Sequence, residues 1–112
     1  MSTPKYLCLY RGSPSQNKPS PAQMQEMFAA FNAWRERFKD SILDMGSKLK
    51  PTGRVVTPAG ATDGPFVEGK EIVGGFMILT TPDYEGAVEV VMALPGMDAP
   101  GACVEIREMA SF

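Results

Sequence analysis

The chain contains no histidine and only two cysteines, and these scarcities exclude several kinds of chemistry. Without an imidazole, a serine nucleophile has no histidine to act as its general base. Cys8 and Cys103 lie near opposite ends of the sequence, outside any spacing typical of a zinc or thiol-redox site. We therefore expect no metal site, and we interpret both cysteines as buried structural thiols in a reducing compartment.

Concentrated positive charge and long apolar runs are also absent. The 112 residues carry 11 Lys and Arg against 13 Asp and Glu, and no basic block is dense enough to bind a phosphate backbone. No apolar stretch approaches the roughly 20 residues that cross a bilayer, and the N-terminus lacks the apolar core of a signal peptide. We expect one cytoplasmic domain, residues 1–112, that binds neither nucleic acid nor membrane.

The periodic patterns predict an α+β domain with the element order β-α-β-β-α-β. Ser20 caps the first helix, and apolar residues spaced three and four apart continue it to Met45, with Gly46 as the left-handed residue beyond its end. Asp83 caps a second helix that runs to about Ala93. Residues 58–65 are interpreted as a turn. The predicted strands are residues 5–10, 48–57 (an irregular edge strand), 72–80 and 102–109.

The apolar faces of the two helices define the predicted core. In the first helix the pattern is interpreted as core packing throughout, including the methionines. The second helix presents a shorter face. The positions are Met24, Met27, Phe28, Phe31, Trp34, Phe38, Ile42 and Met45, then Ala87, Val88, Val91 and Met92.

Two helices cover only one face of such a sheet, so the other face needs a partner or a ligand. If the aliphatic residues of the first and last strands lie under the helices, the open face carries Tyr10, Glu105 and Arg107. Aromatic and charged groups together suit a small-molecule pocket closed by a second subunit of a homodimer. Alternatively, Glu105 and Arg107 form a solvent-facing pair near a sheet edge.

The segment from Asp63 to Gly75 is the strongest candidate for chemistry. Asp63, Glu68, Lys70 and Glu71 place three carboxylates and one amine within nine residues. A carboxylate beside a lysine at the mouth of an apolar cavity has a shifted pKa suited to proton transfer. The pair Gly74-Gly75 permits a bulge or the close approach of a ligand. The alternative is an ordinary Asp-Gly-Pro turn followed by a solvated hairpin tip.

The run DGPFVEGKEIVGGFMIL closely resembles the signature of the DGPF, or YCII-related, family. The resemblance continues through the Trp34 helix and the DYEGAVEVV helix. It implies a ferredoxin-like α+β fold that dimerises through its sheets into an α/β barrel, with no cofactor and a pocket between the sheet and the first helix. Members are small bacterial proteins, some encoded near extracytoplasmic-function sigma factors. The matching positions are Asp63, Gly64, Pro65, Phe66, Glu68, Lys70, Glu71 and Gly75.

Three functions remain open from the sequence. The first is a homodimer that binds a small molecule on the open sheet face near the DGPF segment. The second is a cofactor-free isomerase, lyase or oxygenase, in which Asp63 or Glu68 acts as base and Lys70 or Arg107 stabilises an enolate-like anion. The histidine–aspartate dyad of some family members is excluded because the chain has no histidine. The third is a regulatory protein-interaction module linked to a sigma factor.

Overall fold

The computed structural model describes residues 3–12, 20–64 and 72–110. This part of the chain contains six strands and two helices. Their bounds are β1 Lys5–Gly12, α1 Pro21–Arg37, β2 Ile42–Lys48, β3 Gly53–Thr57, β4 Gly60–Gly64, β5 Ile72–Thr80, α2 Tyr84–Met92 and β6 Cys103–Glu108. No helix in these ranges is long and apolar enough to cross a membrane.

The main sheet has four antiparallel strands in the order β2-β5-β1-β6, and β3 pairs with β4 in a separate hairpin. With that hairpin set aside, the element order is β-α-β-β-α-β and the first and third strands are central. The predicted ferredoxin-like α+β fold is therefore confirmed. The second strand, however, is Ile42–Lys48 and not the predicted 48–57.

Both helices pack on the same face of this sheet. The buried cluster joins alternate residues of β1 and β5 to Trp34 of α1 and to one side of α2. Trp34 Nε1 donates a 2.9 Å hydrogen bond to the Val90 carbonyl oxygen and so ties the two helices together. The cluster consists of Tyr6, Cys8, Trp34, Met77, Leu79, Ala87, Val90, Val91 and Leu94.

The first helix begins as predicted but ends earlier. Ser20 and Gln23 form a capping box, and Pro21 occupies the first helical position. The prediction that the helix continues to Met45 is wrong, since α1 ends at Arg37 and β2 begins five residues later. Gly46 does adopt the predicted left-handed conformation, with φ of 66°, but inside irregular β2 and not at a helix end.

The predicted core faces of the helices are partly wrong. Met24 and Met27 are 44% and 59% exposed, so the methionine stripe of α1 is not core packing, although Met45 packs against the core from β2. In α2, Val90 is buried where the pattern favoured Val88 and Met92. The second helix itself is as predicted, because the Asp83 carboxylate accepts from the Gly86 amide at 2.8 Å.

Residues 48–64 differ most from the prediction. Lys48 ends β2, and the region interpreted as an edge strand plus a turn is the hairpin Gly53–Gly64, here called the arm. Asp63 therefore lies in a strand, opposite Arg54, and not in a turn.

Candidate functional site

The two alternating sets of residues in β1 face opposite sides of the sheet from those predicted. Tyr6 and Cys8 are buried under the helices, and Tyr10 packs against the same cluster, so Leu7 and Leu9 point to the open face. The placement of Tyr10 on the open face is therefore wrong. Both sets are apolar, and alternation alone does not distinguish two apolar faces.

The open face has an apolar centre and a charged margin. The register places Leu7 opposite Ile78 and Leu9 opposite Phe76, and all four side chains are half-buried in the single chain. Glu105 lies opposite Leu9 and Arg107 opposite Leu7, so these two candidates are on the open face as expected.

The charged margin contains one ion pair that the sequence did not reveal. Arg11 Nε lies 2.9 Å from the Glu105 carboxylate, with each side chain about two-fifths exposed. Glu105 therefore pairs with Arg11, and the alternative interpretation, a pair between Glu105 and Arg107, is not observed. An apolar centre with a charged rim is the usual composition of a subunit interface.

On the helix side, Tyr10 and Gly75 meet at one end of the sheet. They are register partners, and a Cβ added to Gly75 would lie 3.0 Å from the Tyr10 ring and 3.1 Å from the Ser47 carbonyl oxygen. Burial raises the pKa of the Tyr10 phenol to about 12, so the hydroxyl is protonated at neutral pH and can donate a hydrogen bond. The Tyr10 ring therefore occupies the space that a side chain at position 75 would need.

The N-terminal half of α1 is exposed throughout, over residues 21–30. Farther along the helix, Trp34 lies in the same buried cluster as Cys8. Phe31 of α1 and Tyr10 of β1 both pack against this cluster. The exposed half of α1 and Tyr10 therefore adjoin the same cluster.

The exposed half of α1 carries apolar side chains on the same side of the helix as Trp34. Met24, Met27 and Phe28 lie three and four residues apart and are 44%, 59% and 64% exposed; we call them the α1 stripe. Half-buried Phe31 connects the stripe to Trp34, with its ring centroid 5.5 Å from the indole. An apolar surface of this size on one side of a helix is typical of a binding surface.

Asp63, the first residue of the DGPF segment, forms an ion pair with Arg54 across the arm. Both side chains are largely exposed, at 91% and 69%, so the pair is screened by solvent. With Gly64 and residues 51–53 they line an open depression of about 460 Å³ at the base of the arm. Asp63 is therefore an exposed, paired carboxylate and not a group at the mouth of an apolar cavity.

The structure brings only some of the predicted site residues together. Asp63 and Gly64 lie at the arm base, Gly75 and Tyr10 on the helix side, and Glu105 and Arg107 on the open face. Arg107 is opposite Leu7, toward the end of β1 away from the arm, so Asp63 and Arg107 are not neighbours. The remaining candidates lie outside the described residues: Pro65, Phe66, Glu68, Lys70 and Glu71.

The two cysteines differ in their surroundings. Cys8 is fully buried, and burial raises the pKa of its thiol from 9.0 to about 11. Cys103 is exposed at the start of β6, which corrects the expectation that both thiols are buried. In the described ranges, no group of three or more Cys, Asp or Glu side chains is arranged to hold a metal ion.

Comparison with known proteins adds a family and a fold. A family model described as the YCII-related domain matches residues 5–112. The chain is similar to a solved structure of 5-chloro-2-hydroxyhydroquinone dehydrochlorinase (TftG) from Burkholderia phenoliruptrix AC1100, in complex with 2,5-dihydroxybenzoquinone. The TM-score is 0.52 at 19% identity, over 95% of this chain and 93% of that chain. The search of curated proteins finds no match.

Proposed function

Because the chain belongs to the YCII-related family, we propose that it works as a homodimer that binds a small planar molecule on the helix side of its sheet. The observation that carries this proposal is the exposed α1 stripe, which Phe31 joins to the buried cluster on which Tyr10 also packs. We call the space between the stripe and Tyr10 the slot.

The groups around the slot favour a planar, weakly polar ligand. Methionine thioethers and the Phe28 ring make favourable contacts with flat rings. The Tyr10 ring, which packs closely on Gly75, adds a second aromatic surface. The protonated Tyr10 hydroxyl supplies one hydrogen-bond donor for a carbonyl or hydroxyl oxygen on the ring.

The related dehydrochlorinase supports the same ligand class, since its solved complex contains 2,5-dihydroxybenzoquinone. That molecule is flat and carries oxygen acceptors at its rim, as the slot requires. It is therefore a suitable probe for this chain, which shares the fold and not the sequence of that enzyme.

The open face supports the dimer. Leu7, Leu9, Phe76 and Ile78 together form an apolar surface that no element of the described chain covers. Two copies that pack these faces together remove this surface from water, at about 25 cal/mol per Å². The pair of Arg11 and Glu105 lies at the rim, where charges guide orientation more than affinity. We therefore assign the open face to the partner subunit and the helix side to the ligand.

The described candidates for cofactor-free catalysis do not lie together. The Asp63 carboxylate is exposed and paired with Arg54, and Arg107 lies opposite Leu7, toward the end of β1 away from the arm. The proposed enzyme needs a base and an anion-stabilising cation within reach of one substrate atom. Asp63 and Arg107 do not meet that requirement in one chain, and Glu68 and Lys70 lie outside the described residues. We therefore put binding first and catalysis second.

Calorimetric titration with 2,5-dihydroxybenzoquinone tests the ligand site. Met27→Ser removes a stripe residue that is 59% exposed, and Met92→Ser is its matched control on α2, at 67% exposed. We expect saturable binding that Met27→Ser weakens about tenfold, equivalent to about 1.4 kcal/mol, and that Met92→Ser leaves unchanged. Equal loss in both variants, or no binding by the wild type, would contradict the proposed site.

Sedimentation tests the dimer separately. Leu9→Glu places a charge in the apolar centre of the open face, whereas Val88→Glu places one on the exposed side of α2. We expect a dimer for the wild type and for Val88→Glu, and a folded monomer for Leu9→Glu, with its helical circular dichroism retained. A Leu9→Glu protein that stays dimeric excludes the open face as the interface.

A further inference from the structure

The arm stands away from the rest of the chain. Apart from half-buried Val55 and Gly64, all of its strand residues are exposed. The radius of gyration is 15.9 Å, against about 13 Å for a compact domain of this length. A two-stranded hairpin is only marginally stable by itself in water. The arm therefore requires a surface to pack on.

One face of the arm is suited to packing. Val56 and Ala61 are register partners, and Arg54 and Asp63 occupy the next pair on the same face. Val56 is 76% exposed, the highest exposure among the large hydrophobic side chains that the structure describes as exposed. The ion pair neutralises the charges beside it. This face thus presents an apolar tip and a charge-balanced base.

We propose that the arm of one copy packs its Val56 face against the α1 stripe of a second copy, and that the second copy's arm does the same in return. The inference rests on the proposed homodimer and adds the partner's arm as the outer wall of the slot. The slot is then complete only in the dimer, since the partner's Val56 covers Met24 and Met27 at its open end.

The exposed area matches what a stable dimer needs. Four large apolar side chains that are 44–76% exposed present on the order of 500 Å² per copy. Reciprocal docking uses the arm and the stripe of each copy once and therefore buries at most about 1,000 Å², in addition to the area of the open faces, and about 1,000 Å² is the lower limit for a specific interface. A different partner would have to cover the arm and the stripe separately. A second copy related by a two-fold axis covers the arm and the stripe at the same time.

The arm is also long enough. Sheets that pack face to face lie about 10 Å apart, and a helix layer lies a similar distance beyond each sheet. The five-residue strands of the arm extend about 17 Å, and the connection over residues 49–52 adds about 13 Å. The arm therefore has the length to extend past the partner's sheet as far as its helix layer.

Disulfide trapping between two differently labelled copies tests this arrangement in the full chain. Cys103→Ser removes the exposed native thiol, and buried Cys8 stays. A copy with Val56→Cys is mixed with a copy carrying Met27→Cys, or with a control copy carrying Val88→Cys on α2. After mild oxidation we expect at least ten times more mixed disulfide with Met27→Cys than with Val88→Cys, measured by intact mass.

The other outcomes overturn the proposal in distinguishable ways. A dimer by sedimentation with equal trapping in both mixtures means that the arm does not meet the stripe, while the proposed homodimer stands. Predominant disulfide between two Val56→Cys copies means that the arms pair with each other. A monomer by sedimentation removes the homodimer and the arm contact together, and leaves ligand binding to the calorimetric test.

Discussion

Gly46→Ala tests the placement of residues 42–48 in a strand. Gly46 has φ of 66°, and its amide donates a 2.7 Å hydrogen bond to the Asp44 carboxylate. A Cβ at this position would lie 1.8 Å from the Phe76 carbonyl oxygen and 2.6 Å from its carbonyl carbon. Both atoms belong to the backbone of β5, so no side-chain rotation relieves the overlap.

Gly46→Ala is expected to lower the free energy of unfolding for two reasons. The left-handed conformation costs an alanine about 1 kcal/mol, and displacing a neighbouring strand costs about 2 kcal/mol more. For a domain of this size about 3 kcal/mol lowers the melting temperature by roughly 12 °C. Had Gly46 ended a solvent-exposed helix, only the first reason would apply, a loss of about 4 °C.

Thermal unfolding followed by circular dichroism measures the difference. Gly74→Ala is the matched control in the same sheet, because its nearest atom, the Tyr10 carbonyl oxygen, is 4.0 Å away and its φ is not positive. We expect Gly74→Ala to melt within a few degrees of the wild type. A Gly46→Ala protein that melts as high as Gly74→Ala would refute the close contact between β2 and β5.

Three further predictions concern the core and the caps. Trp34→Phe removes the indole donor from the buried Val90 carbonyl. It should lower the free energy of unfolding, measured by chemical denaturation, by about 2 kcal/mol. A loss below about 0.5 kcal/mol, which is typical of a surface substitution, argues against that hydrogen bond. Asp83→Ala should cost about 1 kcal/mol and Asp83→Asn much less, since the side chain caps α2 through Gly86. The buried Cys8 thiol has its pKa raised from 9.0 to about 11, so its contribution to stability is complete below pH 9 and is lost as pH rises toward 11. Melting temperatures at pH 8 and pH 10.5 should therefore differ less in Cys8→Ala than in the wild type.

The elements with local chemical signals were predictable from the sequence. Ser20 and Asp83 carry side-chain oxygens that cap helices, and both helices begin where these residues predict. The strand over residues 72–80 was predicted with its observed bounds, because its length and the glycine and proline residues around it distinguish an apolar strand from a buried helix. Family membership followed from the DGPF run and is confirmed by the match over residues 5–112.

The end of α1 was not predictable from apolar spacing. Phe38, Ile42 and Met45 continue the three-and-four pattern of the helix by coincidence. Phe38 packs on the core from the cap that ends α1, whereas Ile42 and Met45 pack on it from β2. A better signal was available in Arg35 and Arg37, since basic residues are common in the last turn of a helix.

The faces of the sheet and the arm required the folded chain. In β1 both alternating sets are apolar, and only the packed helices determine that Tyr6 and Cys8 face inward. The arm has a two-residue Pro58-Ala59 loop without the Asn-Gly or Asp-Gly signal of most tight hairpins, so residues 58–65 resembled a turn. The contact between Arg54 and Asp63 depends on the register of that hairpin.

The most direct test of the proposed function is to locate a bound ligand in the wild-type chain by amide nuclear magnetic resonance. 2,5-Dihydroxybenzoquinone is titrated into the isotope-labelled protein, and the chemical-shift changes are assigned to residues. The proposed ligand site predicts saturable changes centred on the amides of Tyr10, Phe28 and Gly75, on the helix side. Changes centred instead on Leu7 and Ile78, on the open face, or no saturable change at all, would contradict it.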